Sequence, residues 1–159
     1  MDTTASVYLA TDEDTRALGE TLARKLGPGC VVLLDGPIGA GKTSLARAVI
    51  QSRMSRLCQV EDVPSPTYTL VQTYDDGESE IWHADLYRLS EAGEVAELGL
   101  DAAFEDAVVL VEWPDRLGSD VPQDALSVTM SIEGDGRRAS FAWRDPRWTW
   151  VGRLGTVDA

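Results

Sequence analysis

The chain is poor in lysine, cysteine and histidine. Of its 14 basic residues only Lys25 and Lys42 are lysines; 27 acidic residues oppose them, leaving a formal charge of −13 with the single histidine neutral. That field repels phosphate backbones and anionic lipid. Local basic patches aside, it excludes a protein that coats DNA or RNA by neutralising phosphates. Cys30 and Cys58 are too few for a disulfide framework and lack the spacing of a redox or zinc pair. They read as inert buried thiols in a reduced compartment. No apolar run approaches the roughly 18 residues of a membrane-spanning helix, and Met1–Ala10 has no apolar leader segment. A cytoplasmic location is expected, with neither membrane nor DNA as partner. There is no internal repeat. At 159 residues the chain fits a single domain, 1–159, with its last ten or so residues free to form a tail.

What is present is an alternation of helix and strand signals. Thr11-Asp12-Glu13-Asp14 has the pattern of a capping box, and Leu18, Leu22 and Leu26 make one apolar stripe behind it. The spacing predicts a helix from Asp12 to Leu26, stopped by Gly27-Pro28-Gly29. Cys30 to Leu34 is an unbroken apolar run, as in a strand covered on both faces. A second helix starts near Lys42, with Leu45, Ala46, Val49, Ile50 and Leu57 on its apolar side and Arg47, Arg53 and Arg56 on a basic face. Pro64-Ser65-Pro66-Thr67 forbids regular structure. Tyr68–Tyr74 and Ile81–Tyr87 flank the turn Asp75-Asp76-Gly77-Glu78 as a hairpin. Ser90–Leu98 is a weak helix, Asp101–Asp106 one more helical turn, and Val108–Val111 a second buried strand. Val128–Ile132 and Ala139–Trp143 make a further hairpin. The expected fold is α/β, with a mixed sheet that is parallel at its centre, antiparallel hairpins at its edges, and flanking helices.

Gly36-Pro37-Ile38-Gly39-Ala40-Gly41-Lys42-Thr43 matches the phosphate-binding loop pattern without a gap, between a buried strand and an amphipathic helix. Glycines let the backbone wrap closely enough to aim N–H groups at phosphate oxygens, and the helix adds its positive end. Gly39, Ala40, Gly41, Lys42, Thr43 and Ser44 are the candidate nucleotide contacts. Lys42 reaches the β- and γ-phosphates, and the Thr43 hydroxyl takes the magnesium ion between them. A lysine in so arginine-rich a chain supports this role, because an arginine fork is larger and wrongly shaped for that place. The fold is therefore expected to resemble a P-loop NTPase, with ATP and Mg2+ as cofactors.

Such a site needs carboxylates. Glu112 ends the buried strand Val108–Val111, where ligands gather in α/β sheets. It can hold the metal or polarise the attacking water. Asp85 is a charge within a strand-like run; it must meet a metal, an arginine such as Arg88, or backbone donors. Catalytic candidates are Lys42, Asp85 and Glu112, and metal candidates are Thr43, Asp85 and Glu112. His83, the sole histidine, reads as a packed or hydrogen-bonded strand residue rather than a general base. Ser65-Pro66-Thr67 supplies hydroxyls in a stiff segment, suited to a loop that senses the γ-phosphate. Trp113 is close enough to report on the nucleotide or stack on its base. Trp143, Trp148 and Trp150, interleaved with Arg144, Arg147 and Arg153, either contact RNA or a partner, or close the core.

Four blocks occur in one order: Gly36–Thr43, Ser65-Pro66-Thr67-Tyr68-Thr69-Leu70, His83-Ala84-Asp85-Leu86-Tyr87-Arg88-Leu89 and Val111-Glu112-Trp113-Pro114. Together they resemble the bacterial tRNA threonylcarbamoyladenosine biosynthesis ATPase family, TsaE/YjeE, from about Thr11 to Trp143. The resemblance implies a small cytoplasmic ATPase, slow alone, acting with two partners of TsaB and TsaD type. That complex makes threonylcarbamoyladenosine beside the anticodon of tRNAs reading codons that begin with A. Hydrolysis resets the complex, tRNA is met only through it, and carbamoyl transfer belongs to the partners. By resemblance Lys42 and Thr43 serve phosphate and magnesium, Asp85 and Glu112 are the essential carboxylates, and Ser65-Pro66-Thr67 is the switch-like loop. Thr11 and Thr15 fall near the adenine side. Pro37 and Ile38 depart from the family's usual acidic residue and leucine, where side chains need not touch phosphate. A P-loop kinase fits less well, since the stretch between Arg88 and Asp106 has no arginine for a lid. A nucleotide-gated switch with negligible turnover differs from an ATPase in lacking stimulation by partners.

Overall fold

The computed structural model describes residues 3–55, 71–87, 99–154 and 156–158. The strands are β1 (Thr3–Leu9), β2 (Val31–Asp35), β3 (Val71–Asp75), β4 (Glu80–Asp85), β5 (Val108–Glu112), β6 (Leu126–Glu133), β7 (Gly136–Trp143) and β8 (Thr156–Asp158). The helices are α1 (Asp12–Lys25), α2 (Lys42–Met54) and α3 (Leu100–Asp106), with 3-10 turns at Pro114–Asp120 and Pro146–Arg153. The strands form one sheet in the order β3-β4-β5-β2-β6-β7-β1-β8. Strands β4, β5, β2 and β6 run parallel; β3, β7, β1 and β8 pair antiparallel. This is the expected mixed sheet with a parallel centre and antiparallel edges.

The unbroken apolar runs of β2 and β5 are explained by two covered faces. Val32, Leu34, Val108 and Leu110 join α1 and α2 in one core with Leu22, Leu45, Ile50, Phe141 and Trp148. Val31, Leu33, Val109 and Val111 face the other way, onto Leu100, Ala103 and Leu117. Burying each such side chain stabilises the fold by about 1.5–3 kcal/mol. Gly19 lets α1 approach α2, since a Cβ there would run into Ala48.

Several expectations change. β1 carries no clear sequence signal, because its inward positions are the modest Ala5, Val7 and Leu9, between Thr4, Ser6 and Tyr8. Near the C-terminus, Val151 is buried, and β8 pairs with β1. Helix α1 ends one residue earlier than expected, and β4 stops at Asp85 rather than Tyr87. Arg53 does not lie on a basic outer face; it is buried, with Nε 2.7 Å from Asp76 Oδ2. Its guanidinium also donates to the carbonyls of Ala23 and Leu26 and to Ser79 Oγ. Cys30 is half-buried rather than buried. Among the C-terminal tryptophans, Trp148 closes the core and donates from Nε1 to the Asp124 carbonyl at 2.7 Å. Arg147 pairs with Asp124 and Asp145. The candidate switch loop Ser65-Pro66-Thr67, residues 68–70 of the expected strand, Arg56, Leu57, Cys58, Arg88 and the weak helix Ser90–Leu98 lie outside the described residues.

Candidate nucleotide site

The loop Gly36–Thr43 joins β2 to α2 at the carboxyl ends of the parallel strands. Three of its positions need glycine. Gly36, Gly39 and Gly41 have φ of 132°, 84° and 103°, in a region that side chains rarely enter. A Cβ on Gly36 would also collide with the Met130 carbonyl oxygen. Gly41 caps α2 with no side-chain hydrogen bond, and the first turn carries no acid. Its first N–H groups are therefore left for an outside acceptor.

Register brings the carboxylates to this loop. Asp85 pairs with Glu112 and Leu34 with Glu112, so β2, β5 and β4 end side by side. Side chains of one strand share a face at every second residue, so His83 lies on the same face as Asp85, and His83 meets Glu112. Glu112 is buried. Its Oε1 accepts from Thr43 Oγ1 at 2.6 Å, and its Oε2 lies 2.7 Å from His83 Nε2. Burial pushes the Glu112 carboxyl up, but hydrogen bonds from His83 and Thr43, with the Lys42 charge, hold it below its ordinary range. Asp85 differs. It is half-buried, and its carboxylate accepts from the Tyr87 N–H at 3.1 Å. Burial raises its carboxyl, with the nearby Glu112 charge adding to the rise against the Tyr87 hydrogen bond, His83 and Lys42.

Lys42 is buried, and burial lowers its ammonium against the pull of Glu112, Asp35, Asp85 and Asp115. It donates to the Gly36 carbonyl and sits 3.3 Å from the centroid of the Trp113 ring. Trp113 is the one non-glycine residue among those described with positive φ, at 60°, a conformation costing about 1–2 kcal/mol. It packs against Tyr87 with ring centroids 5.0 Å apart. The structure thus gathers Lys42, Thr43, Asp85, Glu112 and Trp113. It shows Trp113 covering the lysine, whereas the sequence suggested a base-stacking or reporting role. Thr11 caps α1, its Oγ1 accepting from the Asp14 N–H. His83 is the packed, hydrogen-bonded strand residue that the sequence suggested, but its tie to Glu112 was not foreseen. The available signal was a lone imidazole two residues before Asp85 in an otherwise apolar strand.

Hard oxygen donors fit magnesium. Thr43 Oγ1 and the Asp85 and Glu112 carboxylates supply them, and Gly36, Gly39 and Gly41 add no side chains to the loop. Among the described residues no cluster of three His, Cys, Asp or Glu side chains stands ready for a metal. Magnesium at nucleotide sites takes few protein ligands and completes its shell with phosphates and water.

Residues 9–140 match the family model described as threonylcarbamoyl adenosine biosynthesis protein TsaE. A Rickettsia felis protein named tRNA threonylcarbamoyladenosine biosynthesis protein TsaE is 34% identical over 133 residues, covering 83% of this chain and 75% of that protein. Bacillus subtilis and Mycobacterium bovis proteins of the same name are 35% and 36% identical. The alignments cover 79% of this chain and 77% of the first, and 82% of both chains for the second. The crystal structure of Bacillus subtilis YdiB superposes with a TM-score of 0.78 at 26% identity, covering 97% of this chain and 95% of that one. The chain belongs to the TsaE family. Among the described residues no helix is long and apolar enough to cross a membrane.

Proposed function

We propose that residues 1–159 form a single magnesium-dependent ATPase domain of the cytoplasmic machinery that makes threonylcarbamoyladenosine beside the tRNA anticodon. It acts with partners of TsaB and TsaD type, and its hydrolysis resets their complex between rounds. The observation that carries this reading is the bare, glycine-built loop Gly36–Thr43, set beside Lys42 and the Thr43–Glu112 hydrogen bond. The names of the relatives supply the pathway.

Each residue then has a distinct role. The backbone N–H groups of Gly39 to Ser44 bind phosphate oxygens at the start of α2. Lys42 leaves the Trp113 face to pair with the β- and γ-phosphates, which offer its desolvated charge a closer partner. Thr43 donates its only proton to Glu112 and so presents oxygen lone pairs to a cation. Thr43, with the Asp85 and Glu112 carboxylates, would hold a magnesium ion, which would supply positive charge to the phosphate oxygens. Glu112, fixed on a buried strand, aligns the attacking water. Asp85, less buried and beside Tyr87, is the carboxylate that couples the cation to partner-facing movement, together with Ser65-Pro66-Thr67. Trp113 is a nucleotide contact, and Thr11 lies on the adenine side. The charge of −13 leaves tRNA contact to the partners.

Reconstitution tests this. With ATP, the two partner proteins should modify tRNA over repeated turnovers only when this chain is added, read by mass spectrometry of digested tRNA. Sustained modification without it removes the proposed role.

A further inference from the structure

The Thr43–Glu112 pair has a third member to which the proposed chemistry gives no role. His83, on β4, is completely buried, with Ile81, Ala84 and Leu110 also buried around it in the sheet. A leucine would suit such a place. Instead the imidazole directs Nε2 to Glu112 Oε2 at 2.7 Å, while among the described residues its Nδ1 has no hydrogen-bond partner. A carboxylate oxygen only accepts, so Nε2 carries a ring proton and donates it to Glu112.

The consequence runs through Glu112. With Oε2 held by His83, the carboxylate plane cannot turn, and Oε1 stays 2.6 Å from Thr43 Oγ1. The threonine has one proton and donates it there. Its lone pairs then face away from Glu112, toward the loop. We propose that His83 is a positioning residue for the cation: through Glu112 it fixes the rotation of the Thr43 hydroxyl, so that an oxygen lone pair rather than a proton faces a magnesium ion. The chain crosses β4, β5 and α2, so three elements must be in register for the donor to be aimed. Partners of this kind, one shell behind the ligand, are worth about tenfold to a hundredfold in metal affinity. This rests on the magnesium-nucleotide reading above.

The test uses the full chain and a non-hydrolysable ATP analogue, titrated calorimetrically with magnesium and with the metal chelated. His83→Leu should bind the analogue unchanged without magnesium, while the gain that magnesium confers shrinks about tenfold or more. His83→Gln, which keeps an N–H donor, should recover part of that gain. A role confined to packing would be met by leucine and leave the gain intact. Because His83 is the only histidine, its labelled imidazole nitrogens give a single readout on the native chain that needs no variant to fold. Nε2 should carry the proton, and its resonance should move when magnesium joins the nucleotide complex. An unchanged magnesium gain in His83→Leu, an Nε2 without a proton, or a resonance indifferent to magnesium overturns the inference. A native chain with no magnesium gain at all instead breaks the ATPase reading itself.

Discussion

Helices α1 and α2 lie side by side, yet their N-termini are finished in opposite ways. Helix α1 is closed by its own sequence. Thr11 accepts from the Asp14 N–H, the Asp14 carboxylate accepts from the Thr11 and Ala10 N–H groups, and three acids fill the first turn. Helix α2 opens on Gly41, with no side-chain cap and no acid. The positive end of a helix is stabilised by negative charge. In α1 that charge is built in; in α2 an external anion must bring it. The far ends differ too. Arg53, in the last turn of α2, donates to the carbonyls of Ala23 and Leu26 and so caps the C-terminus of α1. One helix is closed for stability at both ends, partly by its neighbour, and the other is left open where the loop meets the sheet.

Removing Arg53 should break the closed helix most severely. Arg53→Met leaves Asp76 buried without its cation, and losing one member of a buried pair costs about 3–5 kcal/mol. Chemical denaturation at neutral pH should show that loss. Backbone hydrogen bonds from Ser79 and Glu78, with the Arg53 charge, outweigh burial and hold the Asp76 carboxyl below its ordinary range. Its contribution is therefore present above the unfolded value and is lost as pH falls through the folded one. The gap between parent and variant should narrow on acidification below about pH 4. A gap that widens there contradicts the assignment.

Next in size is the open helix's chemistry. Glu112→Gln keeps the shape but removes the charge proposed to align water, so single-turnover hydrolysis in the assembled complex should fall roughly a hundredfold to a thousandfold. Nucleotide and partner binding should survive. Hydrolysis at the parental rate ends that role. Asp85→Asn should instead disturb both turnover and the nucleotide dependence of partner affinity, as measured in ATP and in ADP.

Lys42→Ala should weaken ATP binding by about 2 kcal/mol or more, roughly thirtyfold, because a desolvated charge partner is lost. Circular dichroism should show the fold retained. Equal affinity in parent and variant, by calorimetry, would sink the phosphate-loop assignment.

The smallest effect is also the sharpest control. Thr11→Ala should cost about 1 kcal/mol of stability, the usual worth of an N-cap hydroxyl, and lower nucleotide affinity slightly, from the adenine side. If calorimetry shows affinity unaltered, Thr11 is a cap alone and its adenine-side role falls.

The phosphate loop was legible because its glycines, lysine and threonine are contiguous and flanked by unambiguous period signals. The capping box was legible for the same reason: its partners lie three residues apart. Strand β1 was not, since Ala5 and Val7 carry little hydrophobic signal and gain their meaning only against Phe141 and Ala139 on β7. Arg53 misled in the other direction. A helix pattern reveals which face a residue occupies, but its acceptors, Asp76 and two carbonyls of α1, come from elsewhere in the chain.

By itself the sequence determined α1, α2, the buried strands β2 and β5, the two hairpins, the open loop before α2, the closed cap of α1, and the place of Glu112 at a strand end. These follow from local chemistry: backbone freedom at glycine, hydroxyl and carboxylate spacing, and apolar period. Only the tertiary structure decided that Glu112 is shared between Thr43 and His83, 69 and 29 residues away, and that Trp113 covers Lys42. Those contacts depend on parallel strand register and on the turn after β5, where Trp113 takes a left-handed conformation. Register is set by the packing of the whole sheet, so no local pattern encodes it.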